Sequence, residues 1–338
     1  MTTIGTSRLR RMLPGDDQER ATLIALVQER PQAASWPEVV AEIIEVGSAQ
    51  SVWDAYHEQS LFDADTPAPI AEAARQIAGW RAAGLGVHTF RDVSYPAQLR
   101  EIHQVPPVLF SRGTLCPDDP AVSVVGSRRA SDQSVDWASE VSSALVSAGI
   151  TVVSGLAAGI DTAAHTAALD AGGRTVAVLG TGINRVYPAV NRDLQERIAC
   201  ESLVVSQFWP DAAATKKSFP LRNATMSGYG RATIVVEAGE TSGARIQARV
   251  GVEHGRPVIL RDRVVQANEW AAALQHRPGV HIVSSVDEAL GVVAALRPDL
   301  DVRVPHVQLQ GPRSTRQAQP DPAQRAAARC SGRPRWVH

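Results

Sequence analysis

The sequence predicts an α/β protein in which a mostly parallel β-sheet is covered by helices, with a small all-helical region before it and a basic tail behind. Three observations predict this. From Gly86 onward short apolar runs alternate with longer helical stretches, whereas before Gly84 apolar residues recur at helical spacing. Beyond about Arg297 the composition turns to Arg, Pro, Gln and Ala without periodicity, which cannot build a core. The expected parts are residues 1–84, helical; 85–296, the α/β domain; and 297–338, a disordered basic tail.

In chain order, Leu23, Leu26 and Val27 mark a first helix. Ser35-Trp36-Pro37-Glu38 has the form of a capping box ahead of Val39, Val40, Ile43 and Ile44, with Gly47 as the stop. Asp63 to Pro69 reads as a linker or turn. Ile70, Ala74, Ile77 and Trp80 then trace an amphipathic helix ending near Gly84. Nine strands are expected at Val87 to Phe90, Val108 to Ser111, Ala121 to Val125, Thr151 to Val153, Thr175 to Leu179, Leu203 to Val205, Thr233 to Val236, Val258 to Leu260 and His281 to Val283. Between the third and fourth runs, Val135, Ala138, Val141 and Leu145 share one helix face, and Gly149 stands where a C-terminal cap belongs.

The 338 residues are 44% hydrophobic, enough for a sizeable core, and carry a net charge of −1. Any grip on nucleic acid must therefore come from local patches rather than from a basic surface. No apolar run near Met1 to Asp17 is long enough for a signal-peptide core or a membrane span, so the expected location is the cytoplasm, without membrane. Cys116, Cys200 and Cys330 lie far apart and lack metal-ligand spacing, which points to reduced cytosolic thiols and argues against a zinc site. No cofactor is expected.

Three strand-to-helix turns contain glycine: Gly126-Ser127-Arg128-Arg129, Ser154-Gly155-Leu156-Ala157-Ala158-Gly159-Ile160-Asp161 and Gly180-Thr181-Gly182. In a parallel sheet such turns all emerge at the carboxyl edge, where glycine admits a ligand close to the backbone and helix N-termini aim free N–H groups at an anion. The simple alternative for any one of them is a tight turn. Gly180-Thr181-Gly182-Ile183-Asn184-Arg185 lacks the third glycine of a dinucleotide motif, and no P-loop occurs.

Lys216 and Lys217, the only lysines in the chain, are followed by Ser218-Phe219-Pro220-Leu221-Arg222-Asn223. Cations for a phosphate backbone and a ring for a base are what a single strand requires, although Phe219 suits a core equally well. Asp161 and His165 stand four apart and could meet as an acid/base pair; an Asp in the first turn of a helix is better explained by the helix dipole. Glu237 and Glu240 are further candidate acids. Without a metal motif, a nucleophile elbow or a reactive cysteine context, catalysis has little to rest on, and the expectation is a non-enzyme.

From Asp92 to Pro257 the segments resemble the DNA-processing protein A family, also called DprA or Smf. They are Tyr95-Pro96 with Pro106-Pro107-Val108-Leu109-Phe110; Val125-Gly126-Ser127-Arg128; Ser154-Gly155-Leu156-Ala157 with Gly159-Ile160-Asp161 and Ala164-His165; and Ala177-Val178-Leu179-Gly180-Thr181-Gly182. Tyr187-Pro188 with Asn191, Phe219-Pro220 with Arg222-Asn223, and Val236-Glu237-Ala238 with Ser242-Gly243-Ala244 complete the series. Each is weak alone; in this order they are specific.

The resemblance implies an extended Rossmann-like domain after a small helical one, a homodimer, binding of single-stranded DNA, and loading of the RecA recombinase onto it in transformation or recombination. It assigns Gly126, Ser127 and Arg128 to a phosphate-binding turn, and Arg222 and Asn223 to a second DNA-contacting segment. With Ser154, Gly155, Gly180, Lys216, Lys217, Ser242 and Gly243 these are the expected DNA- and phosphate-binding residues. Arg128 suits the role because its planar fork holds two phosphate oxygens at once. The sequence departs from the family pattern at Ala224, where another arginine is usual, and over Val264 to Trp270, where a Gly-Thr-Asn segment is usual; a C-terminal winged helix is also missing. The alternative is a nucleotide sensor, or a phosphoribohydrolase similar to the LOG-type enzymes around Glu237 to Gly243, whose Pro-Gly-Gly-x-Gly-Thr loop does not occur here.

Overall fold

A computed structural model describes residues 16–57 and 68–296. The expected basic tail, the arginine-containing N-terminus as far as residue 15 and most of the linker around Asp63 lie outside the described residues.

The first helix, α1 (Asp17–Glu29), starts at Asp16, whose Oδ1 accepts the Glu19 N–H at 2.7 Å, and buries every residue from Ala21 to Val27. A helix buried that broadly needs neighbours on several sides. They are α2 (Trp36–Val46), α3 (Ala49–Tyr56) and α4 (Ala68–Ala82). At the start of α2 the Ser35 N–H and hydroxyl both donate to the Glu38 carboxylate at 2.7 Å, and Gly47 ends the helix with φ of 91°, a left-handed conformation that glycine adopts without strain. Helix α3 was not anticipated. Its amino end is held by Glu19 of α1, which accepts from the Ser48 hydroxyl at 2.5 Å and the Ala49 N–H at 2.9 Å.

The nine strands form one sheet: β1 (Gly86–Thr89), β2 (Val108–Gly113), β3 (Ala121–Gly126), β4 (Thr151–Ser154), β5 (Thr175–Val178), β6 (Leu203–Ser206), β7 (Thr233–Glu237), β8 (Val258–Arg261) and β9 (Val280–Val283), in the order β1-β2-β6-β5-β4-β3-β7-β8-β9. Pairing is parallel from β6 to β9; β1 runs antiparallel to β2, and β2 antiparallel to β6. After β3 the chain first winds outward through β4, β5 and β6, then returns to place β7 on the other side of β3. The carboxyl ends of β3 and β7 therefore flank a topological switch point, where neighbouring connections diverge and leave a crevice.

Alternate residues of the strands feed two apolar layers, as a pleated sheet requires. On one face Val122, Val124, Ile234 and Val236 pack with α5 (Asp132–Ser147), α6 (Ile160–Asp170) and α12 (Val286–Ala295). On the other, Val125, Val153, Val176 and Val235 meet α8 (Ser218–Tyr229) and α9 (Gly243–Glu253). Helix α7 (Arg192–Glu201) and the short α10 (Asp262–Ala267) and α11 (Glu269–Leu274) complete the set. The second layer runs on without interruption into the core of α1 to α4, through Trp80 of α4 against Phe110 of β2 and Trp209 after β6, with ring centroids 5.0 and 5.9 Å apart.

Cys116 is a free thiol, and Cys330 lies outside the described residues. Among the described residues no group of His, Cys, Asp and Glu could hold a metal ion, and no helix is long and apolar enough to cross a membrane.

Candidate nucleic-acid interface

At the switch point the turn Gly126-Ser127-Arg128-Arg129 faces the amino end of α9, and between them opens a cavity of about 540 Å³. Its wall also includes Ala157, Asp161, Phe219, Arg222 and Asn223. The turn lies close to its neighbours because two glycines permit it. A Cβ on Gly126 would stand 2.9 Å from the Glu237 carbonyl, and one on Gly159 would stand 2.3 Å from the Ser127 carbonyl in a backbone already at φ of 80°. The Ile160 N–H then donates to the Ser127 carbonyl at 3.2 Å, locking the second glycine turn onto the first.

Ser242 caps α9 by accepting the Arg245 N–H, and Gly243 opens the helix with no side chain over the cavity. First-turn amides have no acceptor within their own helix, so this end presents N–H groups and partial positive charge to the groove. Across it, the exposed Arg128 guanidinium lies 5.3 Å from the centre of the half-buried Phe219 ring. Cations and a ring are thus side by side.

Other expected contacts are placed differently. The Ser154 hydroxyl is fully buried and donates to the Val124 carbonyl at 2.7 Å, so it is not on the rim. The N–H groups of Gly155 and Ala157 donate to the Asp161 carboxylate, at 3.1 and 3.3 Å. The anion seat in the second glycine turn is therefore filled by the protein's own carboxylate. Gly180 faces a smaller cavity of about 90 Å³ beside the first, where a Cβ would meet the Phe219 ring at 2.8 Å. Lys216 and Lys217 are exposed where the chain enters α8 and do not line either cavity.

Arg222 differs most from its expected role. Only 6% exposed, it donates from Nη1 to the Gly155 carbonyl at 2.6 Å and the Val178 carbonyl at 3.1 Å, and from Nε to Asn223 Oδ1 at 3.1 Å. Asn223 in turn donates to the Gly243 carbonyl at 3.2 Å. These two side chains fasten α8 to the β4 and β5 turns and to α9; they form the groove wall from beneath. A phosphate would have to compete with backbone carbonyls for Arg222.

Asp161 and His165 do not form an acid/base pair. His165 is fully buried with Nδ1 2.7 Å from the Thr175 hydroxyl, and burial, followed by the field of Arg222, pushes its pKa down to about 3. Burial raises the Asp161 pKa, and Arg222 pulls it back. Burial also raises that of Glu237, but hydrogen bonds led by those from Ser131 outweigh it and hold the carboxyl below its usual range; Ser131 N–H and hydroxyl donate at 3.1 and 2.7 Å. Glu237 thus serves as a cap for α5. Sequence reasoning missed Thr241 and Gln247 in the groove lining, since neither carries a charge or glycine signal.

Comparison with known proteins matches this fold. A family model described as DNA recombination-mediator protein A matches residues 86–293. Protein Smf of Synechocystis sp. is 39% identical over 212 residues, covering 61% of this chain and 53% of the relative. DNA processing protein DprA of Streptococcus pneumoniae is 44% identical over 169 residues, 50% of this chain and 60% of the relative. The chain thus spans about half to three fifths of the length of these relatives. Among solved structures, DNA processing protein A from Streptococcus pneumoniae superposes with a TM-score of 0.61 at 30% identity, covering 82% of this chain and 98% of that one. DNA processing protein A from Helicobacter pylori, studied for its single-stranded DNA binding mode, shares the fold with a TM-score of 0.55 at 21% identity, covering 62% of this chain and 96% of that one. With more than half of its residues matched by the family model, the chain belongs to the DNA recombination-mediator protein A family, the DprA or Smf proteins.

Proposed function

We propose that this protein binds single-stranded DNA along the groove at the carboxyl ends of β3 and β7, and that it acts in the cytoplasm as a homodimer that delivers the strand to the RecA recombinase. One observation carries the reading. The Gly126 to Arg129 turn and the amino end of α9 converge on a single groove, with Arg128 held over Phe219, so that phosphate-binding and base-stacking groups share one wall.

Affinity for a labelled oligonucleotide should fall steeply as salt rises, because phosphate contacts release counterions. Arg128→Ala should lose about 10- to 100-fold in affinity, the worth of one or two charge-assisted hydrogen bonds, while its thermal unfolding stays unchanged. No binding by the unaltered protein at low salt, or equal binding by Arg128→Ala, would remove the proposal. The finer steps have their own measurements: the rate at which RecA filaments nucleate on protected single strands, and the mass of the protein by light scattering.

A nucleotide phosphoribohydrolase would need a free carboxylate near the glycine turns. Glu237 is engaged by Ser131, and incubation with a panel of nucleoside monophosphates should release no free base.

A further inference from the structure

Beside the groove, the segment from Asn184 to Asn191 carries two large apolar side chains in the open: Tyr187, 46% exposed, and Val190, 79% exposed. Exposed apolar groups this close together call for a partner. The segment is also held in place. Asn184 N–H donates to the Pro210 carbonyl at 2.9 Å and its side chain to Asp211 at 3.0 Å; Gln195 donates to the Arg185 carbonyl at 3.1 Å; and Asn191 reaches the Leu156 carbonyl at 2.9 Å. Tyr187 therefore stands on a fixed support, so that little ordering entropy is lost when a ligand meets it.

Its position relates it to the groove. The Tyr187 ring lies against Phe219, with centroids 5.6 Å apart and planes tilted by 49°, and Phe219 is also the residue whose ring the Arg128 guanidinium covers. Resting on the function proposed above, we propose that Tyr187 and Val190 form a stacking ledge that takes a nucleobase of the same strand just outside the groove. The partner is the base rather than its phosphate. Two exposed cations, Arg185 in the segment and Arg192 just after it, are matched in number by Asp193 and Asp211 beside it. Glu196, one turn along α7, is paired with Arg112 at 2.9 and 2.7 Å, so the ledge has no excess of positive charge to draw a backbone. A ring and a branched alkyl group bind any base through its flat face.

The test compares the full-length protein with Tyr187→Ala, Tyr187→Phe and Val190→Ser, using oligothymidylates of about 4 and about 12 nucleotides and the longer one with a single abasic position moved along it. Tyr187→Ala should weaken binding of the longer oligonucleotide about 5- to 100-fold, the worth of one stacked base, with the same salt dependence as the unaltered protein. Tyr187→Phe should bind normally, and Val190→Ser, whose side chain is almost wholly in solvent, should show a smaller loss. At one position the abasic substitution should weaken the unaltered protein yet leave Tyr187→Ala unaffected. Binding of the longer strand within twofold by both Tyr187→Ala and Val190→Ser overturns the ledge, as does an abasic effect that is equal in the unaltered protein and Tyr187→Ala. If either occurs while Arg128→Ala still loses affinity, the ledge alone falls; if the unaltered protein binds neither oligonucleotide, the DNA reading falls with it.

Discussion

Replacing Arg222 by alanine should destabilise the protein by about 3–5 kcal/mol, an effect of the size seen when a buried charged group loses its partner. The Gly155 and Val178 carbonyls lose their donor, and Asn223 loses the contact that aims it at Gly243. Gly155 shows how closely the site is built around the guanidinium: a Cβ there would overlap Arg222 Nη1 at 1.6 Å. Lysine should restore little of the loss, because an ammonium group cannot span two carbonyls and an amide with planar geometry. The deficit should depend on pH. With Arg222 gone, the buried Asp161 carboxyl loses the charge that pulls its pKa back and moves further above its unfolded value. A carboxyl raised in the folded state binds its proton more tightly there, so the variant should recover stability as pH falls through that raised value and keep the gain below the unfolded one. Urea unfolding at about pH 7 and about pH 4 measures this; a deficit that is small, or that grows on acidification, would refute the structural role. DNA binding should fall with stability here, in contrast to Arg128→Ala.

Asp119→Ala should cost about 3 kcal/mol or more while leaving the groove intact. Asp119 is 1% exposed just ahead of β3, and its carboxylate accepts from the Thr151 hydroxyl at 2.5 Å, Arg174 Nε at 2.8 Å and the Tyr229 hydroxyl at 2.9 Å. One side chain thereby joins the starts of β3, β4 and β5 to the end of α8. Its removal strands two hydroxyls in a buried site and a cation that is only partly solvated. Because Arg174 retains 24% of its side-chain exposure, water takes up part of its loss, which keeps the expected figure at the lower end. Asp119→Asn, which retains an acceptor of the same shape, should recover part of the stability. The denaturation midpoint should shift with no change in DNA affinity at temperatures where the variant is folded. A wild-type midpoint for Asp119→Ala would mean that the network contributes nothing.

These two predictions concern residues to which the sequence assigned another role or none, and the reason is physical. A basic residue beside Phe-Pro reads as a DNA contact, and only its burial under the β4 and β5 turns reveals that its donors face carbonyls. Asp119 carries no motif at all; three of its partners come from segments 32 to 110 residues away. Helix α3 has a local cap, Ser48 accepting the Ser51 N–H at 3.2 Å, but a second hold on its start comes from Glu19, 30 residues upstream of Ala49.

What the sequence determined by itself was everything encoded in local order. Apolar runs of strand length placed all nine strands to within a residue or two, Gly47 and Gly149 marked helix ends, and the ordered series of short segments identified the family. Chain order also implied that the glycine turns lie along one sheet edge. What only the tertiary structure decided was which of those turns remain open to an anion. Burial and hydrogen bonding depend on neighbours distant in sequence: the Ser154 to Gly159 turn receives Asp161 as its anion, while the Gly126 to Arg129 turn and the amino end of α9 are left facing a cavity.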